Sequence, residues 1–197
     1  MPPHTIRAQT IAPVPWRNGG GQTRELLVWP PGAQAWQLRI SLATIAVDGP
    51  FSVFAGIQRH FAVLSGAGLV LTVDGHRLQL GPDSAAVSFD GGLAAHAALM
   101  GGATQDLNLM CAGGASTMLA VTPSVDWRES YMQRGLFARR SGTLEWSTQG
   151  AELQSLDIAA DTLAWFDDAR DHEMRFTPAG GSREPAGFWL GFTPATR

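Results

Sequence analysis

The sequence predicts an all-β protein of two similar halves with few short helices, and three observations carry that prediction. Charged residues make up 16% of the 197 residues while Gly (23) and Pro (12) are plentiful, against roughly 25% charged in an ordinary globular chain, a balance that favours strands and tight turns. Short apolar runs bounded by Gly, Pro or Asp recur about every ten residues, as in an antiparallel sandwich or barrel. Finally, GHRLQLGPDSAAVSFD (75–90) echoes GAELQSLDIAADTLAWFD (150–167), since both read G-x-x-L-Q and then run through apolar residues to Phe-Asp. A duplicated β-barrel follows from that echo.

The first element lies in PWRNGGGQTRELLVWP (15–30). It is not a Walker loop, because Arg24 and Glu25 stand where a phosphate-neutralising lysine would be needed. Nor is it a dinucleotide fingerprint, because Arg24 occupies the third glycine position and no helix follows. Leu26 to Trp29 form a β-prone run stopped by Pro30-Pro31, so the glycines feed a strand and permit a bend or a close backbone approach.

Next, QAWQLRISL (34–42) alternates Trp36, Leu38, Ile40 and Leu42 against Gln37, Arg39 and Ser41, the period of a strand with two unlike faces. Further strands are expected at FSVFA, RHFAVL, GLVLTV, HRLQL, AAVSF, AHAALM and QDLNLMC. Asp74-Gly75 between two of them predicts a hairpin, because both residues tolerate the positive φ of a type I′ turn. PSVDWRESYMQRGLF (123–137) reads as a short helix capped by Ser124 or Asp126 and ended by Gly135, joining a first half (1–122) to a second (123–197).

A net charge of −3 without a Lys/Arg block leaves no footprint for nucleic acid or an anionic membrane. The start lacks a signal-like apolar segment, and no later stretch supplies about 18 uninterrupted apolar residues. Cys111 is the single cysteine, which excludes an intramolecular disulfide and a Cys-based zinc site and suits the cytoplasm.

PWRNGGGQTRELLVW, LRISLA, GPFSVFAGIQRHFAVLSGAG, FDGG and DLNLM, in that order over residues 13–111, resemble the HutD/Ves family, whose hallmarks are P-W-[KR]-N-G-G-G-x-T-R-E and D-x-N-x-M. The resemblance implies a bicupin, two jelly-roll barrels side by side. It also implies an association with histidine utilisation or stress-induced expression, with a ligand-binding, regulatory role for the histidine branch. Arginines that members often carry after D-x-N-x-M are here Ala112, Gly113 and Gly114.

Metal cupins use H-x-H-x-x-x-E and a later histidine, because a divalent ion needs three or four converging donors. The matching stretch offers His60 alone, so neither a metal nor another cofactor is expected. No G-x-S-x-G elbow is present either.

Period two places Arg39 and Ser41 on one face of their strand, and Asp106, Asn108 and Met110 on one face of theirs. Turned inward, Arg39 would bind a carboxylate through its fork while Asp106 and Asn108 orient a polar group. Asn18, Gly20, Gly21, Thr23, Arg24 and Glu25 would bring backbone and polar side chains to the same pocket. Trp16, Phe51 and Phe54 would wall it, and the resembling stretch adds Ser52, Arg59 and His60. The expected partner is a small anionic metabolite, for instance an intermediate of histidine breakdown, and a homodimer is also compatible. Two other readings stay open: a metal-independent isomerase or lyase with His60 or Glu25 as base, and a partner-binding protein whose polar faces lie outside.

Overall fold

The computed structural model describes residues 2–33, 35–148, 151–180 and 185–195, and the structure is β-sheet almost throughout. In chain order the strands begin with β1 (His4–Arg7), β2 (Val14–Pro15), β3 (Gly21–Trp29), β4 (Leu38–Ile45), β5 (Gly49–Pro50) and β6 (Ile57–Ser65). β7 (Leu69–Val73), β8 (His76–Leu80), β9 (Val87–Asp90), β10 (Ala95–Leu99), β11 (Thr104–Ala112) and β12 (Ala115–Ala120) follow. The last six are β13 (Gln133–Ala138), β14 (Gly142–Thr148), β15 (Gln154–Ile158), β16 (Thr162–Phe166), β17 (His172–Pro178) and β18 (Gly187–Thr193). Among the described residues the one helical segment is a 3₁₀ turn at Ala8–Thr10.

The chain divides into two compact units, Ile11–Gly113 and Met1–Thr10 with Gly114–Arg197. The first contains a six-stranded sheet, order β2-β3-β4-β11-β6-β9, and a four-stranded sheet, order β5-β10-β7-β8. Ile45, Phe61 and Val63 of the larger sheet share one core with Leu69, Leu71, Leu80 and Ala97 of the smaller. Each fully buried Phe or Leu there stabilises the unit by about 1.5–3 kcal/mol. The second unit contains sheets β1-β16-β13-β18-β12 and β15-β14-β17, around a core that includes Trp127, Trp146, Phe166, Phe176 and Trp189. Among the described residues the ladders of neither unit close into the barrel that the resemblance implies; they form two antiparallel sheets in each unit.

Several local expectations are met. Asp74 (φ 46°) and Gly75 (φ 80°) both lie in the left-handed region and join β7 to β8 in register from Val73↔His76 to Leu69↔Leu80. The glycine run does feed a strand, with Gly21 as the first residue of β3.

Three expectations are corrected. The alternating strand starts at Leu38 rather than at residue 34, which lies outside the described residues, as does Gly150 of the internal echo. FSVFA is not a strand: the ladder covers Gly49–Pro50, Phe51 N–H still donates to the Ala95 carbonyl (2.8 Å), and the chain then leaves the sheet. No helix forms over 123–137, because Trp127 makes an isolated bridge to Met174 and Gly135 is an interior residue of β13. A Cβ at Gly135 would lie 2.5 Å from the Ala164 carbonyl oxygen, so this glycine serves close strand packing, not helix termination.

Candidate functional site

The site grows from the register of the six-stranded sheet in unit Ile11–Gly113. β4 turns Arg39, Ser41, Ala43 and Ile45 to one face, and on β11 Met110 stands opposite Arg39, Asn108 opposite Ser41, and Asp106 opposite Ala43. β6 extends the rows, with Arg59 opposite Met110 and Phe61 opposite Asn108. β3 adds Glu25 beside Ser41 and Thr23 beside Ala43. Period-two alternation therefore brings residues far apart in sequence onto one surface.

That surface lines a cavity of about 580 Å³. Val14, Pro15, Trp16, Arg17 and Asn18 enclose it from the arm before β3, and Pro50, Phe51, Ser52 and Phe54 from the chain that leaves the sheet after β5.

The innermost polar groups are Arg59, Asp106 and Asn108, all buried. Arg59 Nη2 donates to Asn108 Oδ1 (2.9 Å), and Asn108 Nδ2 donates to Asp106 Oδ1 (2.5 Å). The Arg59 guanidinium also lies 4.9, 5.1 and 5.9 Å from the ring centres of Phe51, Phe89 and Phe54, within cation–π range. Arg59 Nε and Asp106 Oδ2 are buried without a hydrogen-bond partner among the described residues.

Burial decides the charges. It pushes the Asp106 carboxyl up to about 8, against the attraction of Arg59 and the Asn108 hydrogen bond. It pushes Arg59 down to about 10, with Asp106 raising it and Arg39 lowering it further. At pH 7 the guanidinium is therefore charged and Asp106 is mostly a neutral acid. Burial thus weakens the ion pair that Asp106 could offer Arg59 on the cavity floor.

Arg39 is more exposed and donates from Nε to Glu25 Oε2 (2.8 Å), with Glu25 half open to solvent. Such a pair contributes about 0–1 kcal/mol, so a ligand can compete for it. Trp16 is held on the cavity wall by its indole N–H, which donates to Thr23 Oγ1 (2.7 Å).

Trp16, Asn18, Thr23, Glu25, Arg39, Ser41, Phe51, Ser52, Arg59, Asp106 and Asn108 thus converge. Four other expected residues do not line this cavity. Arg24 and His60 have the wrong parity: Arg24 alternates with Thr23 and Glu25 and donates to the Ile11 carbonyl, while His60 alternates with Arg59. Burial pushes His60 down to about 4, which leaves a neutral ring at pH 7.

Gly20 lines a smaller cavity of about 270 Å³ that shares Trp16, Asn18, Ile45, Pro50 and Phe51 with the main one. Its N–H is occupied by Asn18 Oδ1 (3.0 Å) and its carbonyl accepts from Ala46 and Val47, so it is not a phosphate cradle. Gly21 lies under the Trp16 ring, where a Cβ would come within 3.1 Å. Sequence reasoning missed Val14, Pro15, Pro50, Arg17, Ala43 and Ile45. The last two follow from carrying the Arg39–Ser41 alternation to the end of its strand, and Arg17 stands within the glycine motif itself.

Among the described residues no group of three or more His, Cys, Asp or Glu could hold a metal ion, and no helix is long and apolar enough to cross a membrane. The arrangement suits recognition of an anion by guanidinium groups, a neutral acid, an amide and a hydroxyl.

Comparison with known proteins gives the chain's relatives. The chain is 40% identical over 108 residues to an uncharacterised 21.2 kDa protein in the hutC 3′ region of Pseudomonas putida, covering 54% of this chain and 57% of that one. It is 43% identical over 56 residues to protein Ves of Citrobacter koseri, covering 28% and 29%. These matches thus span about half or less of each relative. Over the whole fold it resembles the structure of HutD from Pseudomonas fluorescens SBW25 in a formate condition, with TM-score 0.79, 25% identity and coverage of 98% and 99%. A more distant likeness to Bacillus subtilis oxalate decarboxylase, with TM-score 0.62, 10% identity and coverage of 98% and 78%, marks the fold as cupin-like. A HutD family model matches residues 8–181, and the chain belongs to the HutD family.

Proposed function

We propose that this protein is a ligand-binding, regulatory bicupin that receives a small carboxylate metabolite in the cavity of unit Ile11–Gly113 and modulates histidine utilisation in the cytoplasm. The observation that carries the reading is the buried Arg59 guanidinium on the cavity lining, whose Nε has no hydrogen-bond partner among the described residues. Burial weakens the ion pair that its nearest acid, Asp106, could offer. A buried charge with a weakened partner is costly, and a bound anion reduces that cost. Arg39 at the more open side adds a second fork for a carboxylate.

The link to histidine utilisation rests on family membership and on the relative in the hutC 3′ region. A binding role ranks above an isomerase or lyase, because His60 lies off the cavity and Glu25 is engaged by Arg39.

The test is a thermal-shift titration of EDTA-treated protein against urocanate, formiminoglutamate, formylglutamate, glutamate, histidine and formate, repeated with Arg59→Gln. A ligand at about 100 times its Kd is expected to add about 2.7 kcal/mol, and Arg59→Gln is expected to abolish the shift. If none of the six shifts the wild-type protein, the histidine-pathway assignment falls.

A further inference from the structure

One cross-strand row of the sheet has a pattern that specifies the ligand more narrowly. On the cavity face, Arg39 of β4, Met110 of β11 and Arg59 of β6 stand directly opposite one another. Adjacent strands lie about 4.8 Å apart, so the two arginine backbones are about 10 Å apart across the row. Both side chains line the same cavity, and each guanidinium feels the other, since the charge of Arg39 makes Arg59 easier to deprotonate. Cation, thioether, cation is the complement of anion, methylene chain, anion.

We infer that the cavity takes a small α,ω-dicarboxylate, one carboxylate on Arg59 at the floor, the other on Arg39, with the connecting methylenes over Met110. This rests on the carboxylate-binding reading and narrows it to a dianion. At neutral pH the inner surface favours such a charge: Arg17, Arg39 and Arg59 line it against Glu25 as the one ionised acid, Asp106 being neutral. A dianion neutralises both guanidinium groups at once, whereas a monocarboxylate neutralises one of them. The Met110 side chain adapts its shape to an apolar chain laid across it. Ser41 and Asn108, in the adjacent row, are left to orient a polar substituent on that chain.

The experiment is calorimetric titration of the full chain at pH 7 with malonate, succinate, glutarate and adipate, and with acetate, butyrate and valerate as single-carboxylate probes. Arg39→Gln and Arg39→Lys are titrated alongside, each checked for an unchanged melting transition. One dicarboxylate is expected to bind about tenfold or more tighter than every monocarboxylate, the ratio of one added charge-assisted contact. A maximum at one chain length is expected within the series. Arg39→Gln is expected to erase the difference between the two classes, and Arg39→Lys to restore part of it. Dicarboxylates that bind no tighter than the monocarboxylates would overturn the inference while leaving a carboxylate site standing. If neither class binds at all, the inference and the reading beneath it both fall.

Discussion

Asp106 is the residue whose environment shapes the site most. Its carboxyl is raised from 3.8 to about 8 by burial, so the folded state holds a proton that the unfolded state has released. A raised acid stabilises the fold fully below about pH 4 and loses that contribution as pH rises through about 8. Comparing urea unfolding of the wild type and Asp106→Asn from pH 5 to 9 isolates this: the wild type is expected to weaken relative to the variant as pH rises. A difference that stays level with pH would show that Asp106 is ionised in the folded protein. In the other unit Arg134 is wholly buried, lies 4.2 Å over the Trp127 ring and donates to the carbonyls of Trp127, Ala169 and His172. Arg134→Met leaves those carbonyls without their donor, and chemical denaturation is expected to show a loss of about 3–5 kcal/mol. A loss under about 1 kcal/mol would contradict a structural role.

At the scale of elements, two glycines have different duties. Gly75 supplies positive φ to the β7–β8 turn and has open space around it, so Gly75→Ala is expected to cost about 1 kcal/mol through backbone strain alone. Gly21 has no such φ, but a Cβ there would lie 2.3 Å from the Thr44 carbonyl oxygen and 3.1 Å from the Trp16 ring. Gly21→Ala is expected to cost about 1–3 kcal/mol and to shift the fluorescence of the indole beside the cavity. Equal costs at the two sites, with no spectral change, would contradict this distinction. Strands β4 and β11 were legible because their two faces differ in chemistry. FSVFA was not, since its aromatic residues cover a cavity instead of entering a ladder. The segment 123–137 was misread because a glycine required for strand packing looks the same in sequence as one that ends a helix.

At the scale of the molecule, the N-terminal strand belongs with residues far along the chain. β1 pairs with β16, from His4↔Trp165 to Arg7↔Thr162, and Ala8 N–H donates to the Asp161 carbonyl (2.9 Å). Deleting the chain through Thr10 uncovers the β16 edge, and at about 1 kcal/mol per lost backbone hydrogen bond a loss on the order of 2–4 kcal/mol is expected. Hydrogen exchange checks it: the β16 amides are expected to exchange faster in the deletion. Unchanged protection there would show that β1 contributes nothing to the sheet.

By itself the sequence determined the all-β class, the Asp74-Gly75 hairpin and the polar faces of β4 and β11, because these follow from local propensity and a period of two, and it showed the family through the PWRNGGGQTRE and DLNLM motifs. Tertiary structure decided which neighbours face the cavity. Thr23, Arg24 and Glu25, or Arg59 and His60, cannot share one face of a strand, and no local rule says which face turns inward. It also decided that Asp106 is a mostly neutral acid and Arg59 a buried cation. Those charge states come from burial among residues distant in the chain, which a linear sequence does not display.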